Sequence, residues 1–300
     1  MEEESALLQS MLCLQGGKDL DKIQGHLRHC KQDPHRLQAV QWMKKTSAAY
    51  GFTAETRDLS VQLLDCFLME SLHRHPQSLA NITVTLYAAA TSLILASKLL
   101  EWHPLSMSSF RHFPVADMAI FEKHFLKIIN FDVSPLTTPT SFALKFIRCW
   151  PAHDKVPFLL LQEVVEKLIG KFWEVPESMS FNPSTVGLAA LLLSFSQLRL
   201  DCTEMLAHLP AMCFTPELQP CQGLDSMLDV DRCLQLFFKT VAASATTSDP
   251  IAVEATHKTV RKSTSPTGVQ EMGEGEGMAE SDFFCPETSA APSAKRRRQH

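Results

Sequence analysis

The stretch Leu86-Tyr-Ala-Ala-Ala-Thr-Ser-Leu-Ile-Leu-Ala-Ser-Lys98 is apolar or small on nearly all sides and ends in a lysine. A helix that is apolar all round is buried at the centre of its domain. A second apolar stretch, Phe121-Glu-Lys-His-Phe-Leu-Lys-Ile-Ile-Asn-Phe-Asp132, carries a glutamate at position 122. Lys98 and Glu122 therefore lie at the edges of two apolar helices, as solvated charges or as contacts for a partner.

The rest of the chain predicts further helices and gives few signals for strands. The whole sequence has 2 Tyr and no convincing alternation of polar and apolar residues. We therefore predict an all-α fold. The predicted helices cover 19–30, 35–50, 54–70, 79–100, 105–112, 115–130, 141–150, 155–172, 183–200, 203–209 and 228–243.

The two halves of the chain share a sequence pattern. Thr83-Val84-x-Leu86-x-Ala88-x-x-x-Ser92 recurs as Thr185-Val186-x-Leu188-x-Ala190-x-x-x-Ser194 on the most apolar helix of each half. Together with the matching order of short helices, this recurrence predicts two five-helix domains in tandem. The predicted divisions are an N-terminal helical or flexible segment, two helical domains and a disordered tail, over 1–33, 34–133, 134–243 and 244–300.

The predicted tail carries two candidate signals in a composition that cannot build a core. Ser, Thr, Gly, Glu and Pro dominate it, which is typical of disorder. Ser265-Pro266 is a candidate phosphorylation site, or a chance pair in a Ser- and Pro-rich segment. The basic cluster Lys295-Arg296-Arg297-Arg298 is a candidate nuclear-localisation signal, or simply a basic end.

Charge and cysteine content limit the classes of function. The net charge of −5, with 28 basic against 33 acidic residues, argues against general nucleic-acid binding. The acidic start does not resemble a signal peptide, and no uninterrupted apolar stretch reaches about 18 residues. With 9 cysteines and no repeated close pairs, we expect a reducing, intracellular location and no membrane partner.

The sequence lacks the common catalytic and cofactor motifs. No glycine-rich phosphate loop, nucleophile elbow or H-E-x-x-H is present, so we expect neither an enzyme nor a cofactor. His26, His29, Cys30 and His35 could bind zinc, but their spacing matches no common finger, and we predict no metal. Arg36 and Asp65 lie among apolar positions of two predicted helices and are candidates for a structural ion pair.

Three motifs, in order, resemble the cyclin family. They are Leu64-Asp-Cys-Phe-Leu68, Leu95-Ala-Ser-Lys-Leu-Leu-Glu101 and Glu122-x-x-x-Leu126-x-Ile-Ile-Asn-Phe131-Asp132. They are similar to L-D-R-F-L, L-A-S-K-x-x-E and E-x-x-x-L-x-x-L-x-F-D of the cyclin box. The resemblance covers about 36–147 and implies tandem five-helix cyclin-box domains.

The resemblance also implies a function, that of the activating subunit of a cyclin-dependent protein kinase. Lys98 and Glu122 would hydrogen-bond the regulatory helix of the kinase. The surrounding apolar groove would consist of Leu95, Leu99, Leu126, Phe131 and Val133. Arg36 and Asp65 match the structural ion pair of the family.

Within the family the chain resembles a divergent D-type cyclin, which implies a role at G1/S in nucleus and cytoplasm. Gln41-Trp-Met43, Lys98–Leu105 and Phe181-Asn-Pro-Ser184 carry this resemblance. Ser263–Thr267 is similar to the D-type phosphorylatable degron, which implies contact with ubiquitin-ligase machinery through Ser265. The D-type L-x-C-x-E is missing around Cys13.

The substrate-docking patch of the family is altered in this sequence. His35, Ala39 and Trp42 stand where the family has Met, Leu and Trp, so we expect weak or changed docking of R-x-L substrates. Two other interpretations stay open. One is a transcription-associated adaptor with two cyclin-fold domains, and the other is a cyclin-fold protein without a kinase partner.

Overall fold

The computed structural model describes residues 7, 8, 10, 11, 20–32, 34–74, 81–133, 138–150, 157–203, 205–207 and 227–246. These residues are helical with connecting turns and contain no strand, so the all-α prediction is confirmed for them. The helices, numbered α1 to α9 among these residues, are Leu20–Gln32, His35–Tyr50, Ala54–Arg74, Ile82–Leu100, Val115–Ile128, Pro139–Cys149, Phe158–Phe172, Pro183–Gln197 and Met227–Thr246. The predicted tail, with Ser265 and the basic cluster 295–298, lies outside the described residues.

Two long apolar helices organise the described part of the chain. α4 packs against α2, α3 and α5, and α8 packs against α6, α7 and α9. These two central helices carry the two copies of the repeated sequence pattern. In each copy the serine hydroxyl donates to the carbonyl four residues earlier, over 2.8 Å from Ser92 and 2.7 Å from Ser194. The structure therefore gives the two copies equivalent positions, while the domain boundaries at 33, 133 and 243 stay a prediction.

α4 is buried by its neighbours although its length and composition would also suit a membrane span. It has 19 residues, its most apolar stretch has a mean hydropathy of 1.5, and 56% of that stretch is buried within the protein. Ala88 to Ser97 all lie in the core, against α2, α3 and α5. A helix surrounded on three sides is best explained as the core helix that the sequence predicted.

The predicted helix over 105–112 is wrong. In its place the chain forms a single 3₁₀ turn, Met107–Ser109, between buried Leu105 and buried Phe110. The Leu105 N–H donates to the Ser97 hydroxyl at 3.0 Å, so the end of α4 holds the segment in an extended path. Two inward-facing apolar side chains five residues apart, with Pro104 before them, do not suit one regular helix.

A buried carboxylate links the first five helices to the following ones. Asp58 on α3 is fully buried and accepts hydrogen bonds from Trp173 Nε1 at 2.9 Å and from the Thr140 hydroxyl at 2.5 Å. It also accepts one from the Thr140 N–H at 3.3 Å, at the start of α6. Because a buried charge is stable only when it is hydrogen-bonded, these contacts fix α3 against α6 and the end of α7.

Candidate functional site

Lys98 and Glu122, the two charged residues identified in the sequence, contact each other where α4 packs against α5. Lys98 lies in the last turn of α4, and its Nζ donates to Glu122 Oε1 of α5 at 2.7 Å. The Lys98 side chain is 44% exposed and that of Glu122 17%. A lysine in the last turn also suits the negative end of its helix. The pair can therefore reach groups outside the protein.

Apolar side chains lie on the same two helices as this ion pair and on the segment after α5. Leu99 and Phe131 are exposed, Leu126 and Val133 are half-buried, and Leu95 is buried. An exposed leucine and phenylalanine beside a charged pair form an amphipathic surface. Such a surface could bind the apolar face of a foreign helix while the charges contact its polar groups.

The backbone at the end of α5 sets the position of Phe131. Asn130 and Phe131 both adopt a left-handed conformation, with φ of 54° and 59°. The Phe131 N–H donates to the Leu126 carbonyl at 2.8 Å, which closes the C-terminal turn of α5. Left-handed backbone is costly for a residue with a bulky side chain, so this hydrogen bond must hold it. In this position the side chain of Phe131 is 63% exposed.

Glu101 fixes the end of α4, a role that the sequence analysis did not assign. Its carboxylate accepts from the Thr53 N–H at 2.9 Å, the Thr53 hydroxyl at 3.1 Å and the Thr56 hydroxyl at 2.6 Å. These donors belong to the first turn of α3 and the residue before it. Glu101 was visible only as part of L-A-S-K-x-x-E, because its partners are 45 and 48 residues away.

Arg36 and Asp65 form a second ion pair, deep within the protein. Arg36 Nε and Nη2 donate to the two carboxylate oxygens of Asp65 at 2.7 and 2.8 Å, and Nη1 donates to the Trp173 carbonyl at 3.1 Å. Burial alone would lower the pKa of Arg36, but the charge and hydrogen bonds of Asp65 raise the pKa overall. The pair joins α2 to α3 and also contacts the end of α7.

The three residues of the altered docking patch do not form an open apolar surface. Ala39 is fully buried, while His35 and Trp42 are half-buried. The Trp42 ring packs on Phe110, with 5.5 Å between ring centroids. Weak or changed docking of R-x-L substrates stays a prediction.

The histidine and cysteine cluster surrounds a cavity of about 10 Å³, the room that one water needs. His26 is fully buried, and its Nε2 lies 3.3 Å from Cys30 Sγ. His29, His35 and Arg36 also line the cavity. Burial lowers the pKa of His26 to about 4, with Arg36 and His29 acting in the same direction and Asp65 opposing them. Among the described residues no group of three or more side chains has the geometry to hold a metal ion.

Cys66 replaces the arginine of the family motif L-D-R-F-L, and its thiol is held in the neutral form. Burial raises its pKa to about 11, and the nearby Glu70, Asp132 and Asp65 add to the effect. A thiol with this pKa is a poor nucleophile at neutral pH. Cys66 therefore acts as a small apolar side chain packed against the core.

Comparisons with known proteins show which family the N-terminal half resembles. Residues 16–134 match the model of the cyclin N-terminal domain. Over 156 residues the chain is 26% identical to Cyclin-A2-1 of Arabidopsis thaliana, which covers 52% of this chain and 34% of that protein. Over 177 residues it is 24% identical to G2/mitotic-specific cyclin-B3 of Mus musculus, covering 56% of this chain and 12% of the mouse protein. The chain thus spans about a third or less of the length of these relatives.

A solved structure extends the likeness to most of the fold. The X-ray structure of a viral cyclin from herpesvirus saimiri superimposes with a TM-score of 0.54 and 16% identity. The match covers 70% of this chain and 85% of the viral one, so it includes helices of both halves. The protein has the cyclin fold, and residues 16–134 are similar in sequence to the cyclin N-terminal domain.

Proposed function

We propose that this protein is a regulatory subunit of a cyclin-dependent protein kinase and does no chemistry itself. The observation that carries the proposal is the ion pair between Lys98 and Glu122, which lies partly exposed among apolar side chains at the meeting of α4 and α5. The cyclin N-terminal domain that contains both residues supports this role. The partner would be the regulatory helix of the kinase.

The proposed mechanism is a shift between two conformations of the kinase. A ligand moves a conformational equilibrium by the difference in its affinity for the two states. Active protein kinases have a lysine–glutamate ion pair in which the glutamate belongs to a mobile helix. A rigid surface that binds this helix only in its active position stabilises that ion pair. In this protein Lys98 and Glu122 would contact polar groups of the helix, and Leu99 and Phe131 would cover its apolar face.

The ion pair can be tested with a matched pair elsewhere on the protein. Lys167 and Glu163 on α7 also form an exposed ion pair at 2.7 Å. We expect Lys98→Ala with Glu122→Ala to weaken kinase binding by about 2 kcal/mol or more, as loss of a desolvated anchor does. Lys167→Ala with Glu163→Ala should leave it unchanged. The measurement is the affinity of the purified full chain for individual cyclin-dependent kinases, with kinase activity as a second readout.

Two results would contradict the proposed function. The first is that no cyclin-dependent kinase binds the wild-type chain. The second is that the Lys98 and Glu122 double variant binds and activates a kinase as well as the wild type does. In the first case a titration of duplex DNA at several salt concentrations tests the adaptor interpretation, because phosphate contacts give a steep salt dependence.

We propose further that the protein acts at G1/S, like a D-type cyclin, in nucleus and cytoplasm. Support comes from Gln41-Trp-Met43, Lys98–Leu105, Phe181–Ser184 and the degron-like segment around Ser265. The named relatives are of A2 and B3 type, so the D-type assignment depends on these residues alone. Synchronised cells depleted of the protein should stop before S phase, and arrest at mitosis would contradict the proposal.

The tail is proposed to control location and turnover. The basic cluster Lys295–Arg298 would direct import into the nucleus, and phosphorylation at Ser265 would recruit ubiquitin-ligase machinery. Replacing the four basic residues by alanine should shift a fluorescent fusion to the cytoplasm, and Ser265→Ala should lengthen the half-life of the protein. Unchanged location and unchanged half-life would each contradict the corresponding role.

A further inference from the structure

Trp102 is the most exposed large apolar side chain among the described residues, at 96% of its full accessible surface. The other three tryptophans are covered: Trp150 and Trp173 lie in the core, and Trp42 packs on Phe110. A single exposed apolar side chain is common on protein surfaces and does not by itself indicate a binding site. Tryptophan is, however, the residue type most enriched among the energetic centres of protein interfaces.

The segment that carries Trp102 is held at both ends. On one side the Glu101 N–H donates to the Ser97 carbonyl at 2.9 Å, and the Glu101 carboxylate accepts three hydrogen bonds from Thr53 and Thr56. On the other side the Leu105 N–H donates to the Ser97 hydroxyl, and the Leu105 side chain is buried. Only three residues, 102–104, lie between these anchors, and one of them is Pro104.

A fixed backbone makes Trp102 a preorganised contact. An interface residue on a mobile loop loses conformational entropy when it binds, and a residue on an anchored segment loses less. An aromatic side chain adds a large contact area with only two rotatable bonds. The indole is therefore displayed in solvent at low entropic cost to a binding partner.

Trp102 also lies next to the surface already assigned to the kinase. It follows Lys98 by four residues, so the two Cα atoms are at most about 14 Å apart. Leu99, between them, is exposed and belongs to the same apolar surface. An indole reaches far enough from its Cα to continue that surface beyond the end of α4.

We propose that Trp102 is an additional binding residue for the kinase and selects among kinases. The inference depends on the proposed function. The inference adds to that function that the kinase has an apolar pocket beside its regulatory helix, deep enough to bind the indole of Trp102. Kinases with a charged or filled surface at that place would bind this protein weakly.

Affinity measurements on the full chain test this inference. We expect Trp102→Ala to raise the Kd for the kinase partner at least tenfold, which corresponds to about 1.4 kcal/mol. Trp102→Phe should recover part of the loss. Leu159→Ala on α7 is the matched control, because Leu159 is 80% exposed and should not affect binding. All three variants should melt at the wild-type temperature, since neither side chain is part of the core.

Fluorine NMR provides a direct second measurement. The chain contains 4 Trp, so labelling it with 5-fluorotryptophan gives four signals, and Trp102→Phe assigns the one from Trp102. The kinase carries no label. In the complex we expect the signal of Trp102 to shift and to lose its sensitivity to solvent. The signals of buried Trp150 and Trp173 should stay in place.

The outcomes separate this inference from the proposed function. If the wild-type chain binds no kinase, both fail. If a kinase binds and Trp102→Ala binds equally well, or the Trp102 signal stays solvent-exposed in the complex, only the inference fails. It also fails if sedimentation shows that Trp102 joins two copies of this chain and that the kinase complex retains this contact.

Discussion

Two ion pairs of equal length occupy opposite environments in this protein. Arg36–Asp65 and Lys98–Glu122 both join neighbouring helices, with a nitrogen–oxygen distance of 2.7 Å. The side chains of the first pair are 3% and 5% exposed, and those of the second are 44% and 17% exposed. Length and residue charge alone therefore do not distinguish them.

Burial decides what each pair can do. The donors of Arg36 are directed to Asp65 and to the Trp173 carbonyl, so this pair stabilises the arrangement of α2, α3 and the end of α7. Lys98 has one described partner oxygen and a large exposed surface, so two of its three donor positions remain for solvent or for a partner. The first pair belongs to the architecture, and the second is suited to binding.

The largest effect should follow from breaking the buried pair. Arg36→Ala leaves the Asp65 carboxylate buried without its partner, which typically costs about 3–5 kcal/mol of folding free energy. Urea denaturation followed by circular dichroism measures this loss. Lys167→Ala, in the exposed pair of α7, is the control and should cost less than about 1 kcal/mol. An Arg36→Ala loss as small as that of the control would refute the structural role.

A second buried carboxylate should behave like the first. Asp58→Ala removes the acceptor for Trp173 Nε1 and for the Thr140 N–H, and each buried donor left unpaired costs about 1–3 kcal/mol. We expect a loss of about 3–4 kcal/mol in the free energy of unfolding, by the same denaturation experiment. A loss below 1 kcal/mol would mean that water replaces the carboxylate and that this contact does not hold α3 to α6.

The helices were predictable because their signals are local. Gly51 ends α2 in a left-handed conformation, Pro114 precedes α5, and Pro183 stands at the start of α8. The prediction over 105–112 was wrong because Leu105 and Phe110 are held by contacts with the end of α4 and with Trp42. A long-range contact of this kind leaves no periodic pattern in the sequence.

The candidate site was predictable only where a motif marked it. Lys98 and Glu122 were identified at the edges of two apolar stretches, and the resemblance to the cyclin box gave them and the leucines beside them a role. Glu101 and Asp58 were missed, because their partners are 45 to 115 residues away in sequence. Before the structure, Trp102 counted only as part of the D-type pattern Lys98–Leu105. Its exposure to solvent could not be inferred, because a single aromatic residue in a sequence can be either buried or exposed.

The pH dependence of stability should reveal the environment of the buried pair. His26 lies against Asp65, Arg36, His29 and Cys30, and its pKa of about 4 is below the ordinary 6.5. The unfolded chain therefore binds a proton between these values and the folded chain does not, so stability falls as the pH drops. The difference of about 2.5 pH units corresponds to about 3 kcal/mol.

Denaturation at pH 7 and pH 4 measures this effect when His26→Gln serves as the comparison. The wild type should lose about 3 kcal/mol more than His26→Gln between these pH values, because glutamine takes up no proton. Equal losses in the two proteins would show that His26 titrates normally and that the cavity around it is open to water.

The smallest effect on stability should come from the exposed pair, and this completes the comparison. Lys98→Ala should change the free energy of unfolding by less than about 1 kcal/mol, since exposed ion pairs are worth little in water. A double-mutant cycle with Glu122→Ala measures the coupling between them. A coupling above 2 kcal/mol would show that the pair holds α4 to α5. In that case the double variant would lose kinase binding because the surface of α4 and α5 is disturbed. The proposed contact of Lys98 and Glu122 with the kinase would then need a test that keeps both charges in place.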